Sequence, residues 1–283
     1  MSWINKKNNT NEVCSLELEK YQMFDVANVI KKISLFDTTN YRTRVSTIKK
    51  LPIGTDQHIY TSKLADSSRI EVIFDIGANI GQTATKFAQS FPKAKIFSFE
   101  PVAATFKQLK ENTKKNSSIS CFQIGLGPES GKHKIFLNSN SQCNSFLFDA
   151  NNRTNDVYEE VFVKTIEQFC EENSINKIDI LKTDTEGFDL KVIQGAEALL
   201  KKQQILFILS EVGFHPSDTL HTNFFKLKSY LEQFNFEFIG FYDFGYSKKG
   251  SLKYCNALFQ NKRLNQNTET SESFSKSLAN LST

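Results

Sequence analysis

The sequence predicts an α/β protein built on a mostly parallel sheet with an antiparallel final strand. Three observations lead there. From residue 71 onward, short runs rich in β-branched and aromatic residues alternate with longer helical patterns, the rhythm of βα units. The early runs EVIFDI (71–76) and KIFSFE (95–100) each carry an acid at their carboxyl end, where such a sheet receives ligands. The last two runs, FEFIGFYD (236–243) and YCNALFQ (254–260), follow one another with no helical pattern between them, which predicts the antiparallel ending.

Taken in order, residues 1–70 lack this rhythm. Leu16, Tyr21, Phe24, Val29, Ile30 and Ile33 recur at roughly helical spacing, so an N-terminal helical extension is expected over 1–70. After the first strand, GQTATKFAQSF gives a helix, and AATFKQLKENTKKN gives another after the second strand. ISCFQIG (119–125) is the third strand and KHKIFL (132–137) a short extra one. NSNSQCNSFLFDANNRTNDVY has turn formers without a period and reads as a long loop, the length at which loops tend to be functional. Asn144 and Ser145 fall within it.

VFVKT then leads into TIEQFCEEN, where Thr165 and Gln168 form a capping box. KIDILKTD (177–184) is a strongly apolar strand followed by one helix, DLKVIQGAEALLKK, and by the strand QILFILSE (204–211). SDTLHTNFFKLKSYLEQF gives a long helix with Ser217 or Asp218 as N-cap. The sheet domain is thus expected over 71–261. The polar stretch 262–283 reads as a disordered tail.

Composition narrows the class. With 39% hydrophobic residues, 283 residues can bury one substantial core. The longest apolar run, ILFIL, is far below the roughly 18 residues a spanning helix needs, and the amino terminus has no signal-peptide pattern. No membrane partner is expected. The five cysteines (Cys14, Cys121, Cys143, Cys170, Cys255) are odd in number and widely spaced, which argues against a disulfide framework or a zinc cluster and predicts a cytoplasmic setting. Thirty-five basic against 31 acidic residues leave a net charge of +4 without the clustered excess of a nucleic-acid surface.

The stretch VIFDIGANIGQ (72–82) carries the most chemistry. A strand ending in Asp-x-Gly that runs into a helix suits a nucleotide-like ligand. A dinucleotide site wants GxGxxG; here the pattern is Gly77-x-Asn79-x-Gly81, so an NAD(P)-type oxidoreductase is the disfavoured alternative. No GKS or GKT follows for a phosphate loop. Asn tolerates positive φ, so Asn79 can occupy the bend while Gly77 and Gly81 let the backbone approach a ligand closely.

Asp75-x-Gly77-x-Asn79-x-Gly81, followed one βα unit later by Phe99-Glu100-Pro101, resembles motifs I and II of class I S-adenosylmethionine methyltransferases. IDILKTDTEGFDLKVIQGA (178–196), preceded by VKTIEQF, resembles the signature of the FkbM family within that class, mainly O-methyltransferases. The resemblance spans residues 70 to 260. It implies a Rossmann-like sheet, S-adenosylmethionine as cofactor, and methylation of a hydroxyl on a small molecule or glycan. It implies further that the motif I loop, with Asp75, Gly77, Asn79 and Gly81, holds the methionine part of the cofactor and that Glu100 holds the ribose. Ile124-Gly125-Leu126-Gly127 falls where the family sandwiches adenine, with Gly125 and Leu126 as contacts, although the Asp or Asn that many methyltransferases carry there is missing. A non-catalytic module that only binds the cofactor is the second alternative.

Three residues are candidates for catalysis: Asp184, Glu186 and His215. Asp184 and Glu186 stand two apart in KTDTEG at the carboxyl end of a core strand. If strand geometry persists there, both project to one side while Thr185 points away. Asp184 could also reach the cofactor's ammonium, and the pair could hold a divalent cation. With no HxxxD or HxxxH nearby, the metal-free version is preferred. His215 lies in EVGFHP just past the fifth strand.

Overall fold

The structure, a computed structural model, describes residues 69–138, 141, 144–147, 157–247 and 250–262. The expected helical extension (up to residue 68), much of the long loop and the tail from 263 lie outside the described residues.

The main sheet runs β10-β11-β8-β7-β1-β2-β3. Its strands are β1 (Val72–Ile76), β2 (Lys95–Phe99), β3 (Ile119–Phe122), β7 (Ile178–Thr183), β8 (Ile205–Gly213), β10 (Phe236–Tyr246) and β11 (Leu252–Asn261). Pairings from β3 through β2, β1 and β7 to β8 are parallel, and β11 runs antiparallel to both β8 and β10. This is the Rossmann-like sheet with antiparallel C-terminal strands that the sequence predicts. A two-residue strand, β9 (Thr222–Asn223), adds to β8.

Among the described residues the helices are α1 (Gln82–Ser90), α2 (Ala103–Thr113), α3 (Ile166–Glu172), α4 (Asp189–Gln194), α5 (Glu197–Lys201) and α6 (Phe224–Glu232). Each face of the main sheet carries an apolar core because successive strand residues point to opposite faces. Phe74, Ile76 and Phe99 pack with residues of α3 to α6 on one side, while Ile73, Ile96 and Phe207 pack with Ala84 and Phe87 of α1 on the other. Phe169 of α3 is the hub of an aromatic cluster. Its ring meets Phe74, Phe97, Phe99 and Phe122 edge-on at centroid distances of 4.8–6.1 Å.

Four departures from the sequence reading have physical reasons. The third strand ends at Phe122, not Gly125, because Gly125–Leu126 leaves the main sheet as β4 and pairs with β6 (Tyr158–Lys164). With β5 (Gly131–Phe136), these make a second, three-stranded sheet. The single helix expected after β7 breaks into α4 and α5 at Gly195, whose Cα approaches the Gly127 carbonyl so closely that an added Cβ would stand 2.1 Å from it. The helix expected from Ser217 starts at Phe224, capped by Asn223, whose Oδ1 accepts the Lys226 N–H at 3.2 Å; the preceding residues are held by β8 as β9. Thr165 does cap α3 through the Gln168 N–H at 3.0 Å, but the Gln168 side chain turns to Ser130 and Glu172 instead of closing the box.

Phe169→Ala is expected to cost about 3–5 kcal/mol by opening this cluster, and Thr165→Ala about 1 kcal/mol through loss of one cap. Denaturant unfolding of both variants checks the order; equal losses would mean the cluster is not the hub described.

Candidate active site

The carboxyl ends of β1, β2, β7 and β8 surround a cavity of about 540 Å³, within the range of small-molecule sites. Of the predicted residues, Gly77, Asn79, Glu100, Gly125, Leu126, Asp184 and Glu186 line it. Asp75, Gly81 and His215 do not. Gln82, Thr83, Phe99, Ile124, Lys182, Glu211, His221, Lys253 and Tyr254 also line it.

The β1–α1 turn has the expected left-handed bends, with φ of 71° at Gly77, 47° at Asn79 and 93° at Gly81. The glycines also serve close contacts within the protein. A Cβ on Gly77 would stand 1.9 Å from the Asp184 carbonyl oxygen, and one on Gly81 would stand 2.8 Å from the Thr113 side chain. They let protein backbone and α2 approach, and so pull the turn tight against β7 and β2. Phe99's carbonyl accepts the N–H groups of both Gly77 and Ala78 at 3.1 and 3.0 Å.

Asp75 is fully buried behind this turn. Lys182, at the corresponding place on β7, puts its Nζ 3.0 Å from Asp75 Oδ1 and 3.5 Å from Asp184 Oδ2, and donates to the carbonyls of Gly77 at 3.2 Å and Ile76 at 3.5 Å. The Asp75 contact is a buried ion pair. Asp75 and Asp184 hold the Lys182 ammonium charged against its own burial, with a pKa above its ordinary value.

Glu100 is buried at the end of β2. Its Oε1 accepts the Val102 N–H at 3.0 Å and its Oε2 the Asn79 N–H at 3.1 Å, one donor per oxygen. Burial nevertheless pushes the carboxyl up to about 7, only partly opposed by those two N–H groups. Each oxygen keeps acceptor capacity toward the cavity, the chemistry that a pair of vicinal hydroxyls requires.

The far end of the cavity is acidic. Strand β7 ends at Thr183, so the expected continuation of strand geometry does not occur. Asp184 to Gly187 form a turn with φ of 52° at Glu186 and 88° at Gly187, and Thr185 lines the cavity with its two neighbours. A left-handed glutamate is uncommon; here Ser145 Oγ donates to its carbonyl at 2.8 Å. Asp184, Glu186 and Glu211 each bring one oxygen within 4.8 Å of the others. Burial first, and Asp184 second, push Glu186 up to about 8. Glu211 moves strongly upward for the same reasons, and Asp189, wholly buried in α4, moves upward too. Lys182 supplies a counter-charge to this group, pairing with Asp184 at 3.5 Å and lowering Glu186 and Glu211 against the stronger upward push.

His215 sits on an exposed turn beyond β8, with its Nδ1 2.7 Å from Ser217 Oγ. From this side Glu211, Leu220 and His221 reach the cavity. Glu211 repeats the pattern of an acid near the end of a core strand and was open to the same reading as Glu100. Lys182 also had a signal, a lone cation inside an apolar run. His221 had none, because its placement depends on the β8–β9 pairing.

A parallel sheet with Asp75-x-Gly77-x-Asn79-x-Gly81 at its first turn and a buried acid after its second strand defines an S-adenosylmethionine-dependent methyltransferase of class I. Residues 75–238 match the Methyltransferase FkbM domain, and the chain belongs to that family. Its cofactor is S-adenosylmethionine, and the cavity size and the Glu100 acceptor pair fit that group. Hexuronic acid methyltransferase AglP of Haloferax volcanii is 27% identical over 172 residues, 58% of this chain and 65% of that protein. The 2-O-methyltransferase NoeI of Sinorhizobium fredii is 26% identical over 150 residues, 48% and 61%. Methyltransferase sdnD of Sordaria araneosa is 27% identical over 157 residues, 44% and 60%. The chain thus spans less than two thirds of the length of these relatives. No helix among the described residues is long and apolar enough to cross a membrane.

Removing the Lys182 charge should leave Asp75 buried and unpaired. Lys182→Met is expected to lose roughly 3–5 kcal/mol, and Asp75→Asn in the same chain should recover part of it. Thermodynamic cycles from urea unfolding check this; additive losses would mean the two residues do not act as a pair.

Proposed function

We propose that the chain methylates a hydroxyl group on a sugar or another small polyhydroxylated acceptor. The observation that carries this reading is the crowded acidic end of the cavity, opposite Glu100. Glu186 and Glu211 are raised so far that they are largely neutral near pH 7, and neutral carboxyls both donate and accept hydrogen bonds, as clustered hydroxyls demand. The printed activities of AglP and NoeI, on hexuronic acid and at a 2-O position, support the same acceptor class.

S-adenosylmethionine supplies a methyl group on a sulfonium for in-line displacement, so the protein's task is alignment and proton removal. In this reading Gly77, Asn79 and the turn they shape hold the methionine part, and Glu100 holds the ribose hydroxyls. Gly125 and Leu126, with Ile124 and Phe99, offer the adenine an apolar slot. Asp75 and Gly81 act from behind the cavity, Asp75 through Lys182 and Gly81 through the packing of α2. Asp184 and Glu186 grip the acceptor. A nicotinamide oxidoreductase has no support in the tight Gly-x-Asn-x-Gly turn. A non-catalytic binding module is the reading that the assay below would leave standing if no product formed.

Incubation with methyl-labelled S-adenosylmethionine and a panel of hexuronic acids, neutral sugars and amines, followed by mass spectrometry, is expected to place the label on oxygen. Label on nitrogen, or none on any acceptor, overturns the proposal. The ionised form of Glu100 is the better acceptor for hydroxyl donors, and that form is lost as pH falls through about 7. Affinity for S-adenosylhomocysteine should therefore weaken by about tenfold between pH 8 and pH 6, and Glu100→Gln should flatten the profile. Calorimetry at both pH values checks this.

A further inference from the structure

We propose that His221 takes the proton from the acceptor hydroxyl and that Asp218 fixes the ring in the tautomer this requires. The inference rests on reading the cavity as a hydroxyl-methylating site.

The argument begins in the segment joining β8 to β9. Asp218 Oδ1 accepts the backbone N–H groups of Leu220 at 3.0 Å and His221 at 3.2 Å, so the carboxylate is locked in place. Its other oxygen, Oδ2, lies 2.8 Å from His221 Nδ1. A carboxylate can only accept, so Nδ1 carries a proton, and in the neutral ring that tautomer leaves the lone pair on Nε2. Nε2 lies on the Glu211 side, 3.8 Å from Glu211 Oε2 and beyond hydrogen-bond range; both residues line the cavity.

The surroundings fix the ring. It stacks on Tyr254 of β11 with centroids 4.8 Å apart and planes 22° apart. Gly213 of β8 leaves room for the pair: a Cβ there would stand 2.4 Å from Asp218 Oδ2 and 3.0 Å from the His221 Cβ. Thr222, the next residue, is tied to the acidic turn by its hydroxyl, 3.1 Å from the Gly187 carbonyl and 3.2 Å from Asp189 Oδ2. The groups in contact with the ring are therefore Asp218 on its own segment, Glu211 from β8 and Tyr254 from β11, and Glu186 lines the same cavity. Glu186 and Glu211, largely protonated near neutrality, are poor competitors for the hydroxyl proton.

The step balances without a further reactant. A carbon–oxygen bond forms at the acceptor hydroxyl, the carbon–sulfur bond breaks with its electron pair going to sulfur, and the hydroxyl proton moves to His221 Nε2. The imidazolium then releases it to water. His221 is the catalytic residue in this account and Asp218 a positioning residue.

Ring ¹⁵N NMR of the full chain, without added cofactor, tests the tautomer. His221 is expected as the Nδ1–H form, and Asp218→Asn is expected to shift it toward Nε2–H; an Nε2–H ring in the unaltered chain overturns the proposal. In turnover assays with a hexuronic acid glycoside as acceptor, His221→Gln should lower kcat by about a hundredfold or more, with S-adenosylhomocysteine affinity unchanged. Asp218→Asn should lower kcat with little change in KM. Normal turnover by His221→Gln sinks the inference and leaves the hydroxyl-methylating reading intact. If the unaltered chain methylates no hydroxyl acceptor, that reading falls instead, and the assignment of a base falls with it.

Discussion

One buried cation organises the centre of this protein. The Lys182 ammonium stands between the carboxylates of Asp75 and Asp184 and the carbonyls of Ile76 and Gly77, so a single group draws together the ends of β1 and β7 and the turn that follows each. Isolated in an apolar sheet, either Lys182 or Asp75 would carry a large desolvation cost; together they offset much of it. The close approach of the two turns, with no space for a side chain at position 77, follows from this arrangement. The floor of the cavity is therefore an electrostatic contact as much as a hydrophobic one.

The acidic end works by a different balance. Asp184 has Lys182 as its partner and is partly exposed, whereas Glu186, Glu211 and Asp189 sit close by with less water and among other carboxylates. Like charges that cannot all be solvated settle the conflict by keeping protons. The same crowding that would be unfavourable in a purely structural cluster shifts these carboxyls toward their neutral forms beside the imidazole of His221. Raised carboxyls and an imidazole thus share one wall.

The sequence made much of this legible where a local pattern and a spatial role coincide. Asp75, Gly77, Asn79 and Glu100 fall at strand ends, and a strand end has one place to face in a parallel sheet, so their neighbourhood could be read from one dimension. The antiparallel finish was visible for a similar reason, since two strands with no helix between them can return only by reversing. What stayed hidden depends on long-range pairing. His221 reaches the cavity because Thr222 pairs with Val212, and His215, six residues earlier, turns outward to Ser217. The β4 strand was hidden as well: Gly125 and Leu126 look like the tail of β3 until β6, some forty residues later, claims them. Glu186 was placed correctly beside Asp184 but through a left-handed turn, which no strand pattern announces.

The two ends of β7 bear on a question of alignment. A strand buried on both faces has no alternation of polar and apolar residues to say which residue should sit opposite which, and all six residues of β7 are buried. At its start, Asp179 Oδ2 accepts the N–H groups of Glu71 and Val72 at 2.7 and 2.9 Å, and Lys177 pairs with Glu71 at 2.8 Å. At its finish Lys182 meets Asp75. The strand carries a Lys-x-Asp at each end, Lys177-x-Asp179 and Lys182-x-Asp184, and β1 is gripped at both ends between them. A shift of one residue would break both grips at once, so these polar clamps supply the registration that an all-apolar centre lacks, for two strands that lie about a hundred residues apart along the chain.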